Sequence, residues 1–533
     1  MKIGRNEVYP KCNSGKKYKK CCSGPRLKDE ISNNHLDQFD RDIYRKKLEA
    51  EEYIKKQQQG IGKPIVQAHA HGKQFVKVGD TVYNSTQWKT FIDFLCDYIR
   101  KVMEHEWGNA EIKKKEKDKH TIIQWYQKVC IHQKKYLSKD GVQPMPTNGV
   151  VHCYIGLAYN LYLLDHNVEL QNIFINRLKD INNFQGAYYE LIVANCLIRT
   201  GFILELEDEQ DESTKHCEFS AISIKTGKKY WVEAKSRSVA GILGKTENNG
   251  TSSKDPTSRL SPHLKNALKK PASGERLIFV DVNAPCKDEH QPDWLDRAEK
   301  KLKMKDADLQ SGVSAYVFVT NFPFHYDLDR EWQTIAVLLY GLGIPDFSKP
   351  EPLRFSEIYR RKQKHIDAHN ILESFAGYID IPQTFDGSLP SECFDGESKR
   401  IVIGERYFFQ DEGYFATVTT ATVDETNRKL MIGTDTGHIL TGSMSDSEFE
   451  DYKKYPDAYF GVIQNQGKNS ENDYDFFENW VDIHMSYSKE STLKKLENSH
   501  DYERLKLLNK EDLVVEYCER FMGAIIDRKK GTA

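Results

Sequence analysis

The stretch Lys229-Tyr-Trp-Val-Glu-Ala-Lys235 decides the fold, because it reads as a β-strand with one apolar and one charged face. Successive side chains of a strand point to opposite faces. Its tyrosine, valine and alanine therefore share one face, and Glu233 and Lys235 lie side by side on the other. A Glu-x-Lys pair on a strand is usually a solvated pair. The otherwise apolar strand favours a buried acid-lysine centre here.

Two further acids precede this strand in the sequence. Glu218 begins a predicted strand over 218–225. A turn at 226–227 joins this strand to the strand at 229–235, so that the two form a hairpin. A helix is predicted over 186–199, with Glu190 on its inward, apolar face. A carboxylate on such a face is costly unless a cation or several donors meet it. An internal ion pair, or an acid in the first helical turn, is the alternative interpretation of Glu190.

The segments that follow complete an α/β core. Residues 277–282 and 315–320 are continuous apolar runs, as expected for strands that are buried on both faces. A helix predicted over 264–270 carries Lys265, Lys269 and Lys270, which form either a stripe for a phosphate backbone or a solvated face. The order of these elements predicts an α/β fold with a mixed sheet.

The helix acid Glu190, Glu218 before a strand and Glu233-Ala-Lys235 on the next strand resemble the PD-(D/E)XK nuclease superfamily. The resemblance covers residues 186–320 and implies a restriction-endonuclease-like core. It implies that the three glutamates bind one or two divalent ions and that Lys235 orients or activates the attacking water. The first signature acid of this superfamily is normally an aspartate after proline. Here Glu218 follows Cys217 and reaches about one methylene further, which shifts the ion.

The chemistry that this resemblance implies is hydrolysis of phosphodiester bonds. Carboxylate oxygens suit Mg²⁺, with Mn²⁺ as the alternative ion. Such an ion generates a nucleophile near neutral pH, and a lysine beside it stabilises charge on the phosphate. We therefore expect a metal-dependent endonuclease that acts on nucleic acid, with DNA favoured over RNA. A role in restriction or phage defence is expected by analogy with the superfamily.

The N-terminal 26 residues carry a second resemblance. They contain eight lysine and arginine residues against one glutamate, and Cys12, Cys21 and Cys22 stand around a Ser-Gly-Lys-Lys-Tyr-Lys-Lys core. This pattern resembles the SEC-C motif, a small zinc-binding module, and it implies Zn²⁺ bound by the three cysteines. The first cysteine of the motif is replaced by Pro10, so the four ligands of a structural zinc site are incomplete. The resemblance implies a protein or ribosome partner, and the positive charge also suits nucleic acid.

The pattern along the chain predicts five regions. They are the SEC-C-like module at 1–26, a charged helical spacer at 27–64, a mainly helical domain at 65–180, the nuclease-like core at 181–350, and a C-terminal region at 351–533. A hairpin is predicted at 77–80 within the helical domain. The C-terminal region is expected to hold a small β unit over 400–445 and one or two helices over 498–527.

The composition narrows the class of protein. The 533 residues have a formal net charge of -2, which excludes a uniformly basic nucleic-acid coat. The sequence contains no membrane-length apolar run and no secretory signal, and most of its 11 cysteines are scattered singly, so a cytoplasmic protein without a membrane partner is expected. Two alternatives to the nuclease stay open: a catalytically inactive nuclease-like binding module, and an adaptor recruited through residues 1–26.

Overall fold

The computed structural model describes residues 38–136, 145–206, 218–245, 254–286, 292–310, 312–347, 353–394, 400–409, 413–464, 470 and 472–531. The chain divides into two compact units. The smaller unit contains the described residues up to 52 together with those of 400–444 and 457–464, and the larger unit contains the others. The three cysteines of the SEC-C-like segment lie outside the described residues.

The chain before residue 184 combines helices with a three-stranded antiparallel sheet. Its elements are α1 (Gln38–Gln59), β1 (Val66–Ala70), β2 (Lys73–Val78), β3 (Thr81–Ser85), α2 (Phe91–Val102), α3 (His105–Ile112), α4 (Thr121–Lys134), α5 (Gly149–Asn167) and α6 (Asn172–Lys179). The sheet has the order β1-β2-β3. The predicted hairpin is confirmed: Val78 pairs with Thr81, and Gly79 supplies the turn with a φ of 52°.

A six-stranded sheet carries the acid-lysine residues. Its strands and the helices around them are α7 (Phe184–Arg199), β4 (Phe202–Leu206), β5 (Phe219–Ser223), β6 (Lys229–Ser236), α8 (Leu260–Lys269), β7 (Arg276–Asp281), α9 (Trp294–Ala307), β8 (Ala315–Asn321) and β9 (Ala336–Leu342). The strands lie in sequence order. Strands β6, β7 and β8 run parallel, whereas the other neighbours are antiparallel. The predicted α/β class with a mixed sheet is confirmed.

Both faces of this sheet are covered. On one face, Val232, Phe279 and Phe318 belong to a core that includes the buried residues of α5 and α7. On the opposite face, Ile278 and Val317 pack in a second core with the apolar residues of α8 and α9. The two central strands are therefore apolar at nearly every position, as the sequence predicts for strands buried on both sides.

The remaining elements include the predicted small β unit. They are α10 (Phe355–Lys364), α11 (Ile366–Ser374), α12 (Pro390–Phe394), β10 (Arg406–Phe409), β11 (Tyr414–Asp424), β12 (Lys429–Thr434), β13 (Ile439–Ser443), α13 (Asp446–Lys454), α14 (Asp473–Met485), α15 (Lys489–Lys495), α16 (Tyr502–Leu507) and α17 (Lys510–Gly531). Strands β10 to β13 form a four-stranded antiparallel sheet in chain order. Among the described helices, none has the length and apolar character needed to cross a bilayer.

Candidate functional site

The β5–β6 pairing brings the first two acids together. Phe219 pairs with Val232 in an antiparallel register, and the Glu218 amide donates a hydrogen bond of 3.1 Å to the Val232 carbonyl. The residue before Phe219 and the residue after Val232 are therefore cross-strand neighbours. As the alternation predicts, Glu233 points away from the core that contains Val232, and its side chain is only 2% exposed.

Lys235 joins these two carboxylates. Its Nζ donates a short hydrogen bond to Oε1 of Glu218 and lies 3.0 Å from Oε1 of Glu233. Burial lowers the pKa of Lys235, but the Glu218 and Glu233 carboxylates outweigh burial and raise that pKa above its ordinary value. Lys235 is therefore an ammonium ion at neutral pH, so it acts as a positive charge and a hydrogen-bond donor rather than as a base.

A second lysine, which follows the last residue of α8, enters the same centre. The Nζ of Lys270 lies 2.7 Å from Oε1 of Glu233 and donates a hydrogen bond of 2.9 Å to its Oε2. It also lies 3.5 Å from Oε1 of Glu218. The predicted lysine stripe is therefore divided, because Lys265 and Lys269 are exposed whereas Lys270 turns toward the acids.

The helix acid Glu190 is buried in α7, and one guanidinium nitrogen of Arg177 bridges its two carboxylate oxygens. The Nη2 of Arg177 donates to both carboxylate oxygens of Glu190, at 2.6 and 2.7 Å. Burial, with the nearby Glu218 carboxylate, raises the pKa of Glu190 to about 7 against the lowering effect of Arg177. Glu190 and Glu218 line one small cavity, so the structure brings together all four predicted residues of the acid-lysine centre.

The three acids differ in their proton affinity because their neighbours differ. Burial raises the pKa of Glu218, but Lys235, Lys270 and Arg177 outweigh burial and hold that pKa below its ordinary value. Burial, together with the Glu218 charge, raises the pKa of Glu233 although both lysines oppose this shift. At neutral pH the centre thus contains one firmly ionised carboxylate beside carboxylates that accept protons more readily.

The donor chemistry of the centre suits a hard divalent cation, although its arrangement is that of an ion-pair network. Within the described ranges, no three His, Cys, Asp or Glu side chains are grouped so that they could hold a metal ion. The ammonium groups of Lys235 and Lys270 instead lie against the oxygens of Glu218 and Glu233. Oε1 of Glu233 is buried between these two ammonium groups, so a hard cation that binds this oxygen has to displace one of them.

The sequence did not identify Arg177, and it placed Lys270 in a lysine stripe rather than beside the acids. The signal for Arg177 was the predicted burial of Glu190, which demands a cationic partner without saying which residue supplies it. For Lys270 the signal was only its place in a lysine-rich helix.

Comparison of the chain with protein-family models, with curated proteins and with solved structures finds no significant match.

Proposed function

We propose that this protein is a metal-dependent nuclease with a restriction-endonuclease-like core, in which the acid-lysine centre hydrolyses phosphodiester bonds of nucleic acid. The observation that carries the proposal is the mutual contact of Glu218, Glu233 and Lys235 beside the buried Glu190. DNA is the favoured substrate. A role in restriction or phage defence rests on analogy with the PD-(D/E)XK superfamily.

Each side chain has a role that its contacts support. A divalent ion, Mg²⁺ or Mn²⁺, would be held by Glu218, Glu233 and Glu190, and when bound it activates water and offsets phosphate charge. Lys235, held as an ammonium ion between two carboxylates, stabilises negative charge that develops on the phosphate. Glu190, held by Arg177, would complete the set of carboxylate oxygens around the ion.

The deciding experiment is a cleavage assay on plasmid, single-stranded DNA and RNA with Mg²⁺ or Mn²⁺, or with a chelator. We expect metal-dependent cleavage, and we expect Lys235→Ala to lower its rate by about 100-fold or more, because a preorganised donor to the reacting phosphate is lost. Lys229→Ala is the matched control, since Lys229 lies on the same strand with an exposed side chain. Equal cleavage rates for wild type and Lys235→Ala would show that the acid-lysine centre does not catalyse the cleavage.

One observation favours a rival function, that of a nuclease-like module that binds nucleic acid without cutting it. Each of the three acids already has a cationic partner, Lys235, Lys270 or Arg177. A protein of this kind would shift nucleic acid in a gel equally well with and without chelator, and it would cut none of the three substrates. That pair of results would replace the nuclease proposal.

The N-terminal segment supports a separate proposal from its sequence alone. Cys12, Cys21 and Cys22 would bind Zn²⁺ and recruit a protein or ribosome partner. Deleting residues 1–26 discriminates the adaptor from the nuclease, because a nuclease retains cleavage whereas an adaptor loses its binding to ribosomes or protein. Zinc in the purified protein, measured by atomic emission and lost on this deletion, is the expected result.

A further inference from the structure

Lys270 is anchored through its backbone, and its side chain reaches the acids from the end of α8. Its carbonyl oxygen accepts a hydrogen bond of 3.1 Å from Nη2 of Arg276, and Pro271 follows it directly. The side chain leaves the end of α8 and is 20% exposed around its flexible four-carbon stem. Lys235 differs, because it stands on β6 between Glu218 and Glu233.

With all three carboxylates ionised, the charges of the centre are balanced. Glu190, Glu218 and Glu233 oppose three cations, which are Arg177, Lys235 and Lys270. A divalent ion added to this set gives an excess of two positive charges in a mostly buried site, where like charges repel strongly. Moving the Lys270 ammonium group onto one phosphate of a substrate, and adding a second anionic phosphate beside the ion, cancels that excess.

The geometry points to Lys270 as a resident counter-ion that competes with the divalent ion for Glu218 and Glu233. It transfers to a phosphate of the nucleic acid when substrate binds, so substrate and ion bind cooperatively. This inference rests on the proposed function, and it gives Lys270 a positioning role through the acids. The ammonium group of Lys270 lies against both Glu218 and Glu233, so an ion that these two carboxylates share has to displace it.

The test measures Mn²⁺ binding to the full chain by isothermal titration calorimetry, without nucleic acid. We expect Lys270→Met to bind Mn²⁺ about tenfold more tightly than wild type, because the competing charge is gone. Lys270→Arg keeps the charge and Lys269→Met removes an exposed charge nearby, so both are expected to bind like wild type. Mn²⁺ should also raise the melting temperature of Lys270→Met more than that of wild type, which confirms binding to the folded variant.

A second measurement follows the phosphate contact. In chelator, the dependence of duplex DNA affinity on salt concentration should lose about one counter-ion in Lys270→Met and none in Lys269→Met. An unchanged or weakened Mn²⁺ affinity in Lys270→Met would overturn the competition, and an unchanged salt dependence would overturn the transfer to phosphate. Absence of Mn²⁺ binding by wild type and by every variant, with and without DNA, would overturn this inference together with the metal-dependent function.

Discussion

Lys235→Met is expected to destabilise the larger unit by about 3 kcal/mol at pH 8, because it leaves buried carboxylates without their shared cation. The side chains of Glu218 and Glu233 are 18% and 2% exposed, so water solvates them poorly. The side chain of Lys270 stays nearby and limits the loss. The loss should be much smaller at pH 5, since carboxylates that lose their cation take up protons as pH falls.

The measurement is native-state hydrogen exchange of the β6 and β7 amides at the two pH values, which reports on this sheet even if the two units unfold separately. Lys229→Met is the control on the same strand. Its ion pair with Glu205 is exposed to solvent, which screens the two charges, so its loss should change stability little. Combining Lys235→Met with Glu233→Gln should recover part of the stability. A loss of the same size at pH 5 and pH 8 would show that packing of the lysine stem, and not its charge, stabilises the centre.

The sheet could be predicted because its sequence signals are local. The alternation in residues 229–235 indicates which face each side chain occupies, and a short turn at 226–227 permits only an antiparallel neighbour. The apolar runs at 277–282 and 315–320 indicate strands covered on both faces, as α7 and α8 cover them. These inferences need no knowledge of distant contacts.

The ion-pair partners could not be predicted, because they depend on contacts between distant segments. Arg177 comes from α6 and meets Glu190 in α7, while Lys270 meets Glu233 across a separation of 37 residues. Among three lysines near the end of α8, nothing in the sequence distinguishes the one that turns inward from the two that stay exposed. The strand register places Glu218 beside Glu233. The packing of α8 against the sheet then determines that Lys270, rather than Lys265 or Lys269, reaches these acids.

Asp281→Asn is expected to remove a large pH dependence of stability from the same sheet. Asp281 ends β7, and the hydrogen bonds that its carboxylate accepts from the described residues are long: 3.4 Å from Ser236, 3.4 Å from Thr320 and 3.3 Å from the Phe322 amide. Burial raises the pKa of Asp281 from 3.8 to about 7 against the lowering effect of these donors. At pH values between about 4 and 7, Asp281 is therefore protonated in the native state and ionised in the unfolded chain.

The difference in proton binding at Asp281 between the folded and unfolded states determines how stability changes with pH. Between about pH 4 and pH 7 the folded protein binds more protons at Asp281 than the unfolded chain does, so stability falls as pH rises through this window. As pH rises from 5 to 8, ionisation of this one group lowers the free energy of unfolding by about 3 kcal/mol.

The amide that replaces the carboxyl group in Asp281→Asn carries no charge at either pH. Hydrogen exchange at β7 and β8 should therefore show that loss in wild type and in the exposed control Asp296→Asn, but not in Asp281→Asn. Parallel pH profiles for all three proteins would mean that Asp281 is ionised in the fold, with its charge compensated by groups such as Arg237.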